Sequence, residues 1–265
     1  MAEHPAIHLW QVRYAKRVLK KSYAFHDYAQ YGLPDDDLEM DYSFWVIRSG
    51  SDVILFDTGY PLHERNTHDE VHVMSPPEGL KLLGIDPADV SMVITSHFHY
   101  DHIGYVGLFP DATIVAGSAE REYWFGLWDA GQLEGSLASE HHLAAIKVAE
   151  AEGRLVLVQE PTEVHRGVTV HPVSGHSPGE LLTVVDSAAG PFLLASDAAH
   201  FYEQFELDWP FFAFTDLEEM KAGFALIRAL AAKTGAVVIP GHDGRTRLRF
   251  PAAEGAAGEV AVRLA

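Results

Sequence analysis

His97-Phe98-His99-Tyr100-Asp101-His102 places three imidazoles and a carboxylate within six residues, directly after the apolar run Val93-Ile94-Thr95. Imidazole and carboxylate suit Zn²⁺, and also Mn²⁺, Fe²⁺ and Co²⁺. A metal-free active site needs far fewer such groups in one place. If the chain leaves a buried strand into a loop here, His97 and His99 converge on one ion, while Asp101 and His102 serve a second. The bland alternative is a polar turn that happens to be rich in histidine. A pair of ions wants about four ligands each, plus an exchangeable water. The motif therefore predicts further His and carboxylate residues at the ends of other strands.

Three such places exist. His176 lies in Pro172-Val173-Ser174-Gly175-His176-Ser177-Pro178-Gly179, just after the alternating segment Val168–Val173. Asp197 closes the apolar run Phe192-Leu193-Leu194-Ala195, and His242 follows Val237-Val238-Ile239-Pro240-Gly241. In each, a β-like run ends in Gly, Ser or Pro with the polar residue at the exit, where rigid scaffolds usually place chemistry. His97, His99 and His176 would hold one ion; Asp101, His102 and His242 would hold the other; Asp197, with two oxygens, could bridge them. The chain has no cysteine, which excludes thiolate ligands, disulfides and a cysteine nucleophile.

The stretch Thr95-Ser96-His97-Phe98-His99-Tyr100-Asp101-His102-Ile103-Gly104, followed by His176, Asp197 and His242 in that order, resembles the metallo-β-lactamase superfamily. Phe56-Asp57-Thr58-Gly59 is similar to its early motif, in which the Asp braces the metal loops. The resemblance spans roughly residues 42 to 245. It implies an α/β fold, a four-layer αβ/βα sandwich with the dinuclear metal site at the sheet edge.

The ligands run from 97 to 242 of 265 residues, so both halves must meet at one site and a single domain over 1–265 is expected. Met1-Ala2-Glu3-His4-Pro5 does not open a secretory signal, and no run of ~18 apolar residues suggests a membrane span; the expectation is a cytoplasmic protein. The net charge of −19 would repel a phosphate backbone. The basic clusters Lys16-Arg17/Lys20-Lys21 and Arg245/Arg247/Arg249 read as solvated faces, so nucleic acid is not an expected partner.

Periodicity gives a hairpin from Tyr42–Arg48 and Val53–Phe56, and a helix over 216–233 with an Asp216 cap and Met220, Phe224, Ile227 and Leu230 on one face. Ala144–Glu152 reads as a second helix. Residues 61–77, with His63, His68 and His72, read as a long loop that could cover the site. Residues 252–259 read as a poorly ordered approach to the C-terminus. His63, His68, His72 and His141-His142 are read as supporting or surface residues, because the ion pair already has its ligands.

Two ions about 3.5–4 Å apart lower the pKa of a shared water to about 7, and the resulting bridging hydroxide can attack a polarised carbonyl. Fold alone does not choose the substrate. Flavo-diiron proteins usually carry Glu where His99 stands. Glyoxalase II should show basic residues near the bridging Asp, where this chain reads Ala198-Ala199-His200-Phe201-Tyr202-Glu203-Gln204-Phe205-Glu206. Leu194-Ala195-Ser196-Asp197-Ala198-Ala199 and Pro240-Gly241-His242-Asp243 are most similar to the N-acyl homoserine lactonases. In well-known members of that group a Tyr stands where this chain has His200, and Tyr202 is close enough to take over the phenol's role. Asp101, His200 and Tyr202 are thus the candidate catalytic side chains.

Phe201, Phe205, Trp209 and Phe211, with Tyr123 and Trp124, are the candidate substrate wall, although they would serve equally as core or as a dimer interface. The expected function is a lactonase using two divalent ions, Zn first and Mn, Fe or Co as alternatives, acting on a small-molecule lactone or ester. A homodimer is suggested by the aromatic segments alone. The competing readings are a lactonase for another ring such as 4-pyridoxolactone, a glyoxalase II-like thioesterase, a mononuclear iron oxygenase held by His97, His99, His176 and Asp197, and a binding protein that has lost catalysis.

Overall fold

The computed structural model describes residues 6–61 and 71–265. Its thirteen strands are β1 (Ile7–Lys20), β2 (Asp37–Ser49), β3 (Asp52–Phe56), β4 (Val71–His72), β5 (Val90–Ile94), β6 (Thr113–Gly117) and β7 (Leu155–Val158). They continue with β8 (Thr162–His165), β9 (Val168–Val173), β10 (Glu180–Ser187), β11 (Gly190–Ser196), β12 (Val237–Pro240) and β13 (Ala261–Arg263). One sheet runs β13-β1-β2-β3-β5-β6-β7 with β4 on β1; the other runs β12-β11-β10-β9-β8.

Alternation along the strands explains the layering. Ile54 and Phe56, Ile94, Val115, Leu181, Leu194 and Ile239 fill the core between the two sheets. Their neighbours Leu55, Val93, Ile114, Leu182 and Leu193 face the other way and join a second buried cluster that includes the helical residues Leu80, Leu143, Ile146, Phe224 and Ile227. Side chains of period two that are apolar on both faces require a covering layer on both faces. The result is helix, sheet, sheet, helix.

Strand direction then gathers the loops. The strands β3, β5 and β6 are parallel, so the turns after Phe56 and Ile94 leave the same edge. Because β10 is antiparallel to both β9 and β11, and β12 is parallel to β11, the strands β9, β11 and β12 also share a direction. Their exits carry His176, Asp197 and His242.

The hairpin around Gly50 is present as β2 and β3. The helix Leu217–Thr234 has the expected Asp216 cap, whose carboxylate accepts from the amides of Glu218 and Glu219, and Met220, Phe224, Ile227 and Leu230 are buried. The other helix spans Glu140–Ala151 and so starts one turn earlier than its apolar pattern suggested. Residues 252–259 are a correction. Gly255–Glu259 forms a 3₁₀ turn, Ala252 bridges to Val262, and β13 pairs with β1. The Ala- and Gly-rich composition concealed that Ala257, Val260 and Ala261 are buried. In the 61–77 stretch, β4 pairs with Ala15 and Lys16, and Pro76–Leu82 is a helix with a Ser75/Glu78 capping box; His63 and His68 lie outside the described residues. Among the described residues no helix is long and apolar enough to cross a membrane.

Candidate metal centre

The loop after β5 turns immediately into the short helix Tyr100–Ile103, which swings His97 and His99 to one side and Asp101 and His102 to the other. His97 Nε2 lies 2.8 Å from His99 Nδ1, His176 Nε2 lies 3.0 Å from His99 Nδ1, and the two Nε2 atoms of His97 and His176 are 3.3 Å apart. Asp101, His102 and His242 form a second set of donors, and Asp197 sits between the two. Its Oδ2 faces His176 Nε2 at 3.3 Å and His97 Nε2 at 3.9 Å, while its Oδ1 faces His242 Nε2 at 2.9 Å and His102 Nε2 at 3.3 Å. One carboxylate oxygen per donor set is the layout a bridging ligand requires.

Whether these residues fit metal ions can be judged from the far side of each ring. His176 Nδ1 donates to the Ala213 carbonyl at 2.9 Å and His242 Nδ1 to the Asp41 carbonyl at 2.7 Å. A carbonyl can only accept, so each Nδ1 carries the proton and each Nε2 turns its lone pair inward. His102 Nδ1 is held 2.8 Å from Asp57 Oδ2 in the same manner. The three N···N separations of about 3 Å also suit nitrogens that each lie about 2.0–2.1 Å from a shared Zn²⁺. The donor set therefore fits two divalent ions.

Electrostatics separate the two donor sets. Burial, helped by neighbouring imidazoles, pushes the pKa of His97 and His99 well below the ordinary value, and burial lowers that of His176 too. Burial opposes charge on His102 and His242 as well, but there the carboxylates, Asp197 foremost, win and both pKa values rise. Asp197 would be raised by burial, yet His200, His242 and His102 hold it well below the usual carboxylate range.

The braces are buried and polar. Asp57 adopts a left-handed φ of 64°; its Oδ1 accepts from the Ser96 amide, and its Oδ2 accepts from the hydroxyls of Ser96 and Ser196. Ser196 has φ 44°, so two non-glycine residues spend conformational energy, about 1–3 kcal/mol each, where the strands hand over to the ligands. Gly241 permits this approach: a Cβ there would stand 2.5 Å from the Ser196 carbonyl oxygen. Gly175, at φ 127°, would place a Cβ 2.3 Å from the Met220 backbone, which is how the His176 loop docks on the helix Leu217–Thr234. Sequence reading did not single out Glu120. It is fully buried and accepts from the amides of Phe98 and Gly179, from Trp124 Nε1 and from Ser177 Oγ. It therefore ties the His97–His99 loop to the loop after His176.

The remaining candidate residues separate. His200 Nε2 is 3.0 Å from Asp197 Oδ2, and its ring stacks on Phe211 with centroids 3.6 Å apart. Burial lowers its pKa to about 3, against the pull of Asp197. Tyr202 is a correction: its hydroxyl lies 3.5 Å from Thr246 Oγ1, and its ring lies under Arg249. A helix over Tyr202–Leu207 turns the residue out of the cluster. A cavity of about 90 Å³ lies above the donors, with Phe211 and Phe212 on one side. Phe201, Phe205, Trp209, Tyr123 and Trp124 do not line it. Phe201 and Phe205 are core, Trp209 stacks on Tyr31, Tyr123 is exposed, and Trp124 is buried on Glu120 with its ring edge toward His99. His72 packs on Tyr60, and His141 and His142 join none of the donor sets.

The opposite wall of the cavity is Arg17, Leu19, Tyr23, Met40 and Tyr42, with Tyr100 beside His99. None of these was singled out as a site residue by sequence reading. The available signal was the β1–β2 register, in which Ala15 faces Tyr42 and Arg17 faces Met40.

An αβ/βα sandwich whose strand exits converge on two sets of His and Asp donors sharing one carboxylate defines a dinuclear metal-centre protein. The chain belongs to the metallo-beta-lactamase superfamily, whose family model matches residues 40–242. It is 34% identical over 180 residues to the N-acyl homoserine lactonase AttM of Azorhizobium caulinodans, covering 64% of this chain and 66% of that one. It is 32% identical over 165 residues to an N-acyl homoserine lactonase of a Bacillus species, covering 62% and 60%. The chain thus spans somewhat less than two thirds of the length of these relatives. Among solved structures it resembles an N-acyl homoserine lactone hydrolase with N-hexanoyl-L-homoserine at its metal center, with TM-score 0.72 and 22% identity over 92% of this chain and 96% of that one. It also resembles the dizinc lactonase AidC, with TM-score 0.71 and 19% identity over 91% and 89%. At those identities the likeness is one of fold.

Proposed function

We propose that this protein is a dinuclear metal-dependent lactonase, with zinc as its metal, that opens the ring of an N-acyl homoserine lactone-type ester. The observation that carries the reading is the Asp197 carboxylate, placed with one oxygen toward His97 and His176 and the other toward His102 and His242. Two divalent ions supply Lewis acidity at the carbonyl and bring the pKa of water to about 7. His97, His99 and His176 would hold one ion, and Asp101, His102 and His242 the other. Water adds to the lactone carbonyl, the acyl C–O bond breaks, the ring oxygen keeps a proton as a hydroxyl, and the new carboxylic acid releases one proton.

The protein's part is largely positional. His200, held neutral, fixes the Asp197 carboxylate through Nε2, and its ring with Phe211 forms the flat side of the cavity. Tyr42 rests edge-on against His242 with centroids 5.1 Å apart, which puts a phenol near the donors in the place that sequence reading had given to Tyr202.

Proton release from Zn²⁺-loaded protein against a substrate panel tests this. The panel holds acyl-homoserine lactones of several chain lengths, γ- and δ-lactones and aromatic fused lactones, with a glutathione thioester as contrast. Turnover of lactones but not of the thioester is expected. Silence on every lactone by protein holding two metals per chain would overturn the reading.

A further inference from the structure

Arg17 is a cation in the wall of the cavity with no carboxylate paired to it among the described residues. Two of its neighbours in the basic cluster are paired, Lys20 with Asp37 and Lys21 with Asp36, and Lys16 lies on the other face of the strand. Strand register places it directly opposite Met40, two residues from the Ala15/Tyr42 pair. Directly opposed residues share a face of the sheet, as do residues two apart, so Arg17, Met40 and Tyr42 look the same way. That face is the cavity, whose floor is His99, His176, Asp197 and His200. The guanidinium lies 5.5 Å from the centre of the Tyr23 ring. Burial works against its charge, but the electrostatic pull of Tyr42 and the polar contacts with Tyr42 and Tyr23 together outweigh burial and raise its pKa; a guanidinium is charged in any case.

A guanidinium offers five N–H donors in a planar fork suited to a carboxylate, and two phenols do not use them up. In a chain of net charge −19, an arginine in the cavity wall with no carboxylate partner among the described residues is placed to receive a carboxylate carried by a ligand.

We infer that Arg17 is a specificity-determining residue that binds an anionic substituent, a carboxylate, on the substrate ring. The inference rests on the lactonase reading for its reaction, but not for the anion site itself. It adds to the lactonase reading a preference, between otherwise equal lactones, for the ring that carries a carboxylate, whose product is a hydroxy-dicarboxylate.

The test compares 5-oxotetrahydrofuran-2-carboxylate with its primary amide, which has the same ring without the charge. Zn²⁺-loaded wild type, Arg17→Lys and Arg17→Gln are assayed, together with calorimetric binding of 2-hydroxyglutarate, the ring-opened dianion. Wild type should favour the acid by about tenfold or more in kcat/KM, as expected of one charge-assisted contact. Arg17→Gln should erase that preference mainly through KM, with two metals retained, and weaken 2-hydroxyglutarate binding by a similar factor. Arg17→Lys should keep part of both, since it keeps the charge but loses the fork. Equal use of acid and amide by wild type, or an unchanged preference in Arg17→Gln, would overturn the inference. If 2-hydroxyglutarate binding depends on Arg17 while no lactone is hydrolysed, the anion site stands and the lactonase reading falls.

Discussion

The floor and the wall of the cavity are built by different means. On the floor, ligand rings are locked from behind by buried acceptors: a carbonyl behind His176 and another behind His242, and Asp57 behind His102. Two strained residues, Asp57 and Ser196, hold the strand exits. On the wall, Arg17 is only partly buried and Tyr23 and Phe212 are exposed, and contact is made by rings and one cation. The difference teaches that reaction class and substrate choice are separable here. A floor braced from behind dictates what chemistry is done, and a looser wall decides on what.

The comparison predicts that damage to the floor costs metal and rate, while damage to the wall costs only recognition. Asp57→Asn should have the largest effect. It removes the charge behind His102 and one acceptor of the Ser96/Ser196 brace, so metal affinity or activity should fall about 10–100-fold, read by competition with a chromogenic chelator. An unchanged affinity would mean the floor does not depend on its braces. Glu120→Gln comes next. One of the two oxygens that accept from Phe98, Gly179, Trp124 and Ser177 becomes a donor, which should cost about 1–3 kcal/mol of stability. Thermal melting would show it as a fall of ~2–4 °C per kcal/mol, with two metals still bound. Phe211→Ala should be smallest at the centre itself. Losing the ring stacked on His200 should raise KM several-fold, about 1 kcal/mol of contact, with kcat and metal content little changed. Metal loss in Phe211→Ala would break the division between floor and wall.

The same division describes what could be read in the sequence. His97, His99, Asp101, His102, His176, Asp197 and His242 were legible because each follows a short apolar run closed by Gly, Ser, Thr or Pro. Their convergence needed only that those runs be strands leaving a common edge. The wall was not legible for two reasons. Phe201 and Phe205 follow the bridging Asp in sequence, but the helix Tyr202–Leu207 carries them into the core. Arg17 and Tyr42 are 25 residues apart in β1 and β2, and only antiparallel pairing brings their faces together. Within a basic cluster, nothing local distinguished Arg17, the member that lines the cavity among the described residues. Glu120 was hidden likewise: it is buried on the helix Ser118–Asp129, and its partners beyond that helix come from two distant loops.

The central claim is that Asp197 joins two metal sites into one hydrolytic centre. Chelator-stripped wild type and Asp197→Asn should each be titrated with Zn²⁺ by calorimetry, with hydrolysis of N-hexanoyl homoserine lactone and of 5-oxotetrahydrofuran-2-carboxylate followed at every step. Wild type should bind two equivalents, with activity rising as the second fills. Asp197→Asn should bind fewer than two, with no turnover. Two tightly bound equivalents and near-wild-type hydrolysis in Asp197→Asn would contradict the claim.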